Sequence, residues 1–485
     1  MVENLTKEVW PRIIQGGMGV AISGWQLAKA VSEKGLLGVV SGTGLNIVFA
    51  QRLQQGDKGG HLRRALEHFP IPSVAEDILL KHFNVHRSTG RSAVRGVPMF
   101  TLHSSDDLLK LTVAANFCEV FLAKEGHNGI VGINLLEKVQ LPNLPSLYGA
   151  MLAGVDYVLM GAGIPREIPA VLDRLAIHEP ASLKLRVEGA TSDEDIRTIF
   201  DPKQLFEEQL PTLHRPKFIA IVSSDILAQV LIQKASGRID GLVVENESAG
   251  GHNAPPRGGM KLTEVGEPIY GVRDSANIDK IRDMGLPFWL AGDYASPEKL
   301  HAALAKGATG IQVGTDFAFC NESGLAPDLR NRTLEKLSTG EVEVFTDPVA
   351  SSTGFPFKVV QLSGTLSDEA VYDERPRLCQ IGLLRQLYKR MDGQIGYRCP
   401  GEPVQNYLHK GGTLEETTGR KCLCNALMAN ADLAQEQSSG YFEKPLLTAG
   451  DSLKRLKHYL QDGIKNYSAS DVINYLLSPS VSIAI

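Results

Sequence analysis

Residues 241–253 read GLVVENESAGGHN. An apolar, β-branched run closes on Glu245 and gives way to a polar loop with paired glycines, Gly250 and Gly251, and then His252. A short continuous apolar run bounded by turn residues is the mark of a strand buried on both faces, as in a parallel sheet covered by helices. Seven more such runs lie at 12–15, 36–41, 131–135, 155–160, 218–222, 288–291 and 310–313. Helical patterns fall between them, as at 25–34, 146–153, 225–235 and 297–306. The last has Ser296 as N-cap and Pro297 at its first position. Eight βα units within residues 1–325 predict an α/β chain folded as a TIM (β/α)8 barrel. An open, doubly wound sheet is the rival that strand counting leaves standing.

Two stretches are too long for bare loops, 43–128 and 189–216, and the first is expected to contain helices of its own. After residue 325 the βα rhythm stops. Residues 326–485 are expected to form a mostly helical C-terminal appendage. Its amphipathic segments lie at 377–391 and 451–462, and Ser470-Asp471 is placed to cap a helix at 472–477.

Composition narrows the function. The chain has 485 residues, is 43% hydrophobic and 22% charged, and carries a formal net charge of −5. That balance offers no basic footprint for nucleic acid. No apolar stretch is long enough to span a membrane, and Met1–Lys7 has no apolar leader core. The six cysteines then read as reduced thiols of a cytoplasmic protein. Four of them, Cys379, Cys399, Cys422 and Cys424, crowd the appendage, but Cys-x-Cys is not a usual zinc spacing, so buried thiols and no metal are expected.

Three constellations fall where a barrel builds its active site, at the C-terminal ends of strands. Gly16-Gly17-Met18-Gly19 follows the first run and permits close approach of a flat or phosphorylated ligand. His252 ends the sixth, where an imidazole is suited to acid–base work. Gly292 and the pair Gly314-Thr315 end the seventh and eighth, the usual phosphate site. Taken singly, each is also compatible with an ordinary tight turn or barrel closure. Walker, Rossmann, His-Glu-x-x-His, Gly-x-Ser-x-Gly and Cys-x-x-Cys patterns are absent.

The ordered set IIQGGMG (13–19), GINL (132–135), GAGIP (161–165), AGGH (249–252) and GIQVGT (310–315) with Glu322-Ser323 resembles the nitronate monooxygenase family of flavin barrels. That family includes flavin-dependent enoyl-thioester reductases of fatty-acid and polyketide systems. The resemblance implies a non-covalent FMN held by Gly17, Met18, Asn134, Gly251, Gly292, Gln312, Gly314 and Thr315. It implies that His252 faces the reactive edge. Two departures stand out. Asp293 occupies a loop that commonly reads Gly-Gly-Ile-Ala, beside the expected phosphate, and Ser248 stands where glutamate is frequent. A carboxylate there repels phosphate unless it turns away or meets a cation or ribityl hydroxyl.

The implied activity is FMN-dependent oxidation of alkyl nitronates by O₂ to a carbonyl compound and nitrite. The alternative is reduction of an enoyl thioester by NAD(P)H, which a cavity roomy enough for a pantetheine arm favours. A flavin-free barrel acting as a binding protein is the reading from another class. A nucleotide dehydrogenase of the inosine-monophosphate type requires a loop cysteine, and none lies between Cys118 and Cys320. The expected partners are small molecules, with a homo-oligomer left open.

Overall fold

The computed structural model describes residues 10–83, 96–437, 440–463 and 465–479. Eight parallel strands run in chain order: β1 Ile13–Gln15, β2 Gly38–Ser41, β3 Val131–Leu136, β4 Tyr157–Gly161, β5 Lys217–Val222, β6 Gly241–Glu245, β7 Phe288–Ala291 and β8 Gly310–Val313. Each pairs with its neighbours in sequence, and β8 returns to β1 with Ile311 opposite Ile13. Between β1 and β2 the circuit closes through the parallel bridge Ile14–Leu37, where Gln15 N–H donates to the Leu37 carbonyl at 2.9 Å. The barrel, not the open sheet, is the fold.

Alternation along each strand separates two cores. Ile14, Val39, Leu159, Ile219, Val243 and Trp289 point inward and fill the barrel. Trp289, fully buried, donates its indole N–H to the Pro11 carbonyl at 2.7 Å, and Trp10 stacks edge-on at 5.8 Å to seal the N-terminal end. Outward residues such as Ile13, Val40, Ile133, Val244 and Ile311 join the larger core beneath the helices. The bottom of the barrel is therefore solid, and space for a ligand remains at the top.

The 43–128 insertion supplies the expected helices, at Leu45–Gln54, His61–Glu67, Pro72–Ile78 and Asp106–Lys124. The second excursion starts earlier than expected, since Ala181–Lys184 pairs antiparallel with Arg197–Phe200. Helix Pro297–Ala305 carries its predicted cap, with Ser296 Oγ accepting from Lys299 N–H at 3.3 Å. Residues 1–9, where the reading of the N-terminus falls, lie outside the described residues.

Beyond the barrel, helices at Pro327–Thr339, Leu423–Ala429 and Ala469–Leu476 alternate with two antiparallel strand pairs that periodicity did not indicate. Residues 377–391 are not a helix. Gln386–Lys389 is a strand paired with Ile395–Arg398 and with Val187–Glu188. Pro376 ahead of the segment and Gly382 at φ +66° within it stop helical propagation. The last helix starts at Ala469 and is capped by Ser468, two residues before the expected cap, in a capping box with Asp471. Among the described residues, no helix is long and apolar enough to cross a membrane.

Candidate active site

A cavity of about 650 Å³ opens over the C-terminal ends of the barrel strands. That size lies in the range of cofactor and substrate pockets. Every site residue expected from sequence lines it: Gly17, Met18, Asn134, Gly251, His252, Gly292, Gln312, Gly314 and Thr315. Strands separated by up to 300 residues meet there because the last inward position of each strand faces the barrel axis.

Alternation also brings in a residue that the sequence reading passed over. Val243 points inward and Val244 outward, so Glu245 points inward at the cavity floor. Burial pushes its carboxyl up to about 7. Across Ala291 of β7, Gln312 of β8 also lines the cavity and presents a buried Oε1 with no donor. Because the folded protein retains the Glu245 proton at pH values where the unfolded chain has lost it, this group's contribution to stability falls as pH rises from about 4.3 to about 7. Glu245→Gln is therefore expected to raise the melting temperature relative to wild type more at pH 8 than at pH 4.5. An equal difference at both pH values would show that the carboxyl is not held protonated.

His252 is positioned by chain from beyond the barrel. Its backbone bridges Phe357, with Asn253 N–H donating to the Pro356 carbonyl and Lys358 N–H to that of Gly251, both at 2.9 Å. The ring stands edge-on to Phe357 at 4.9 Å, and Nε2 lies 2.7 Å from Ser351 Oγ. Burial, reinforced by the positive charge of Lys138, lowers the imidazole to about 4. At neutral pH it is an uncharged hydrogen-bonding group. Lys138 is itself lowered to about 8, chiefly by burial and then by Arg186.

At the other end of the cavity, Asn246 ties the β6 and β7 loops together. Its Oδ1 accepts from Ser248 N–H at 2.9 Å and from Ser248 Oγ at 2.5 Å, and its Nδ2 donates to the Gly292 carbonyl at 3.3 Å. A Cβ on Gly292 would lie 2.0 Å from Asn246 Oδ1, and its φ of +88° also demands glycine. Ser248 thus has a local structural task in this chain. Asp293, the unfavourable neighbour of a phosphate, is paired with both Lys299 and Arg455. Arg455 lies far along the chain, with no local pattern linking it to this loop.

The distal segment closes the wall. Gly450 N–H donates to Thr315 Oγ1 at 2.9 Å, Gly251 N–H to Thr448 Oγ1 at 2.9 Å, and Asp451 N–H to the Ser248 carbonyl at 3.0 Å. A Cβ on Gly250 would meet Gly450 N at 2.8 Å, so two glycines from distant segments allow the backbones to touch. Leu383, Leu384, Leu423 and Leu427 add an apolar face to the cavity, with Cys424 among them. The thiols are buried or half-buried and form no disulfide, and burial holds Cys399 at about 11 and Cys379 at about 12. Among the described residues, no group of three or more His, Cys, Asp or Glu is arranged to hold a metal ion.

The residues present fit a flavin mononucleotide. Gln312 Oε1 and Glu245 offer acceptors for ring or ribityl donors, and Gly251 and Gly314 leave open faces in which a Cβ would stand at no closer than 3.6 Å from any side chain. Gly17, which lines the cavity, also has a packing role. A Cβ there would lie 2.3 Å from Asn134 Cβ, so the missing side chain makes room for Asn134.

Residues 184–350 match the model of the nitronate monooxygenase family, which bears out the resemblance drawn from the ordered motifs. A probable nitronate monooxygenase of Bacillus subtilis is 30% identical over 116 residues, 24% of this chain and 31% of the relative. A (3aS,4S,5R,7aS)-5-hydroxy-7a-methyl-1-oxo-octahydro-1H-indene-4-carboxyl-CoA dehydrogenase of Mycobacterium tuberculosis is 23% identical over 214 residues, 40% of this chain and 56% of the relative. The chain thus spans about a third and about half of these relatives. Among solved structures, FabK from Thermotoga maritima aligns over 97% of this chain and 92% of its own, at 16% identity and a TM-score of 0.48. A nitroalkane oxidase from Streptomyces ansochromogenes aligns over 96% and 94%, at 14% identity and a TM-score of 0.43.

Proposed function

We infer that this chain, which carries the nitronate monooxygenase family pattern across residues 184–350, is an FMN-dependent oxidoreductase. The observation that carries the reading is the convergence of all nine expected residues on one cavity at the top of the barrel. Asn134, Gln312 and Glu245 would hold the flavin from the floor, Met18 would flank it, and Gly292, Gly314 and Thr315 would receive its phosphate. Bound FMN supplies the electron or hydride transfer that side chains cannot. The chain's own work is to orient the substrate, exclude water and manage a proton.

Of the two substrate classes, the cavity favours an enoyl thioester reduced with NAD(P)H. Its far wall is apolar, through Leu383, Leu384, Leu423 and Leu427, and suits an acyl chain. Its histidine is neutral, which suits an uncharged thioester carbonyl better than an anion. A relative named for a CoA-thioester substrate agrees with this. His252 would help seat the thioester through a hydrogen bond, with Ser351 fixing the ring. Oxidation of a nitronate by O₂ is the second reading, supported by the family match and the Bacillus subtilis relative.

Anaerobic mixing of the FMN-loaded protein separates them. Bleaching of the flavin by NADPH, followed by recovery on adding crotonyl-CoA, is expected. Bleaching by ethyl nitronate and not by NADPH would establish the second reading instead. Working with reduced nicotinamide, small thioesters and cytosolic carriers accords with the proposed cytoplasmic setting.

A further inference from the structure

We propose that one face of helix Leu423–Ala429, with the turn at Leu383-Leu384, forms an acyl-binding channel leading from His252 toward the β1 loop, and that Leu427 sets the chain length it accepts. The inference rests on the enoyl-thioester reading and extends it to segments outside the family match.

Three observations converge. First, the apolar wall is continuous with the site. The His252 ring stands edge-on to Phe357 at 4.9 Å, and Phe357 shares an apolar cluster with Leu423. Leu384 and Leu427 pack against that cluster and also against a second one, which holds Cys424 and Val20. Val20 directly follows the Gly16–Gly19 loop, and all of these residues line the cavity. Second, the helix leaves open surface at one place. Leu423, Cys424 and Leu427 are spaced three and four residues apart and so share a face. Every residue of Leu423–Ala429 is buried but Leu427, which is half-buried, as are Leu383 and Leu384. Apolar side chains left half-open on a cavity gain from an apolar ligand that covers them.

Third, the wall offers little to a polar ligand. Among the described residues, the segment 383–430 brings one amide side chain to the cavity, that of Asn430. It is 2% exposed, and its Nδ2 donates to the Leu446 carbonyl at 2.8 Å. A hydroxyl buried against this wall would go unpaired, so the wall selects an unsubstituted hydrocarbon tail. The helix also gives a length. One turn separates Leu423 from Leu427, about 5.4 Å, the length of about four methylenes. A butyryl chain held at His252 therefore ends beside Phe357 and Leu423, and an octanoyl chain reaches Leu427.

Butyryl-CoA and octanoyl-CoA differ only in those methylenes, so the ratio of their dissociation constants isolates the channel. Both would be titrated by calorimetry into the full chain supplied with FMN, for wild type and L427W. A buried methylene is worth about fourfold in affinity, so octanoyl-CoA is expected to bind wild type about tenfold tighter or more. L427W fills the channel and is expected to bring that ratio below about twofold. Equal affinities in wild type, or an unchanged ratio in L427W, overturn the channel. If L427W fails to fold, L427A decides. It lengthens the channel, so dodecanoyl-CoA should gain severalfold on octanoyl-CoA, and an unaltered ratio overturns the proposal. Failure of the wild-type chain to bind either thioester would overturn the thioester reading, and the channel with it. The expected ratios without electron transfer from NADPH to an enoyl-CoA would support the channel and overturn only the reductase reading.

Discussion

Replacing His252 with alanine is expected to lower turnover about 10²–10⁴-fold while leaving FMN affinity within a factor of about two. The ring lines the cavity and is anchored by Ser351 at 2.7 Å, which does not line it, and by the edge contact with Phe357, which does. On the proposed function, removing it would delete a hydrogen-bonding group on the substrate side and leave the residues proposed to hold the flavin at the ends of β1, β3 and β8 in place. The pH profile separates this role from that of a cationic histidine. Because burial lowers the imidazole to about 4, activity that depends on His252 should show no inflection between pH 6 and 7. An inflection near 6.5 that disappears in the alanine variant would mean that the site is wetter than the structure shows. Ser351→Ala should give a smaller loss in kcat with KM little changed, because the ring loses its orienting partner and not its chemistry. Loss of flavin and turnover together in His252→Ala would make the residue structural.

The second large effect is on stability. Arg375 and Glu443 form a two-pronged pair, Nε to Oε1 and Nη2 to Oε2, both at 2.6 Å, with side chains only 2% and 1% exposed. Two ions with so little access to water are tolerable only together. Arg375→Met leaves the Glu443 carboxylate buried and uncompensated, at an expected cost of about 3–5 kcal/mol. The double variant Arg375→Met/Glu443→Leu removes both charges and is expected to regain most of that loss. Denaturant unfolding of the single and double variants measures both. The pair also matters to the site. Glu443 precedes Leu446, Leu447 and the 448–452 segment that lines the cavity, so the single variant should also release flavin more readily. A single variant as stable as wild type would show that water reaches the pair.

The barrel was legible because strands buried on both faces must be apolar throughout, and runs such as Val39-Val40 and Leu242-Val243-Val244 have no other ready explanation. The glycine-rich strand ends were legible because close backbone approach leaves its trace in composition. What lay hidden was long-range. Neither the Arg455–Asp293 pair nor the Gly450–Thr315 bond leaves a periodic signal, since contacts between remote segments impose no spacing on either one. Glu245 was visible as the end of a strand, and strict alternation from Val243 would have aimed it inward. Its raised pKa depends on burial that only the closed barrel creates. Residues 377–391 misled because apolar spacing alone does not distinguish a helix from loop and short strand pinned between neighbours. The glycine at 382 was the available warning.

The most direct test of the central claim is an FMN titration of the purified protein, followed by its visible absorption spectrum. The account predicts saturable binding of one FMN per chain, with a shifted and structured flavin band and quenched fluorescence. A chain that remains colourless at saturating FMN, while folded and monodisperse, would contradict it and leave a barrel that works by binding alone.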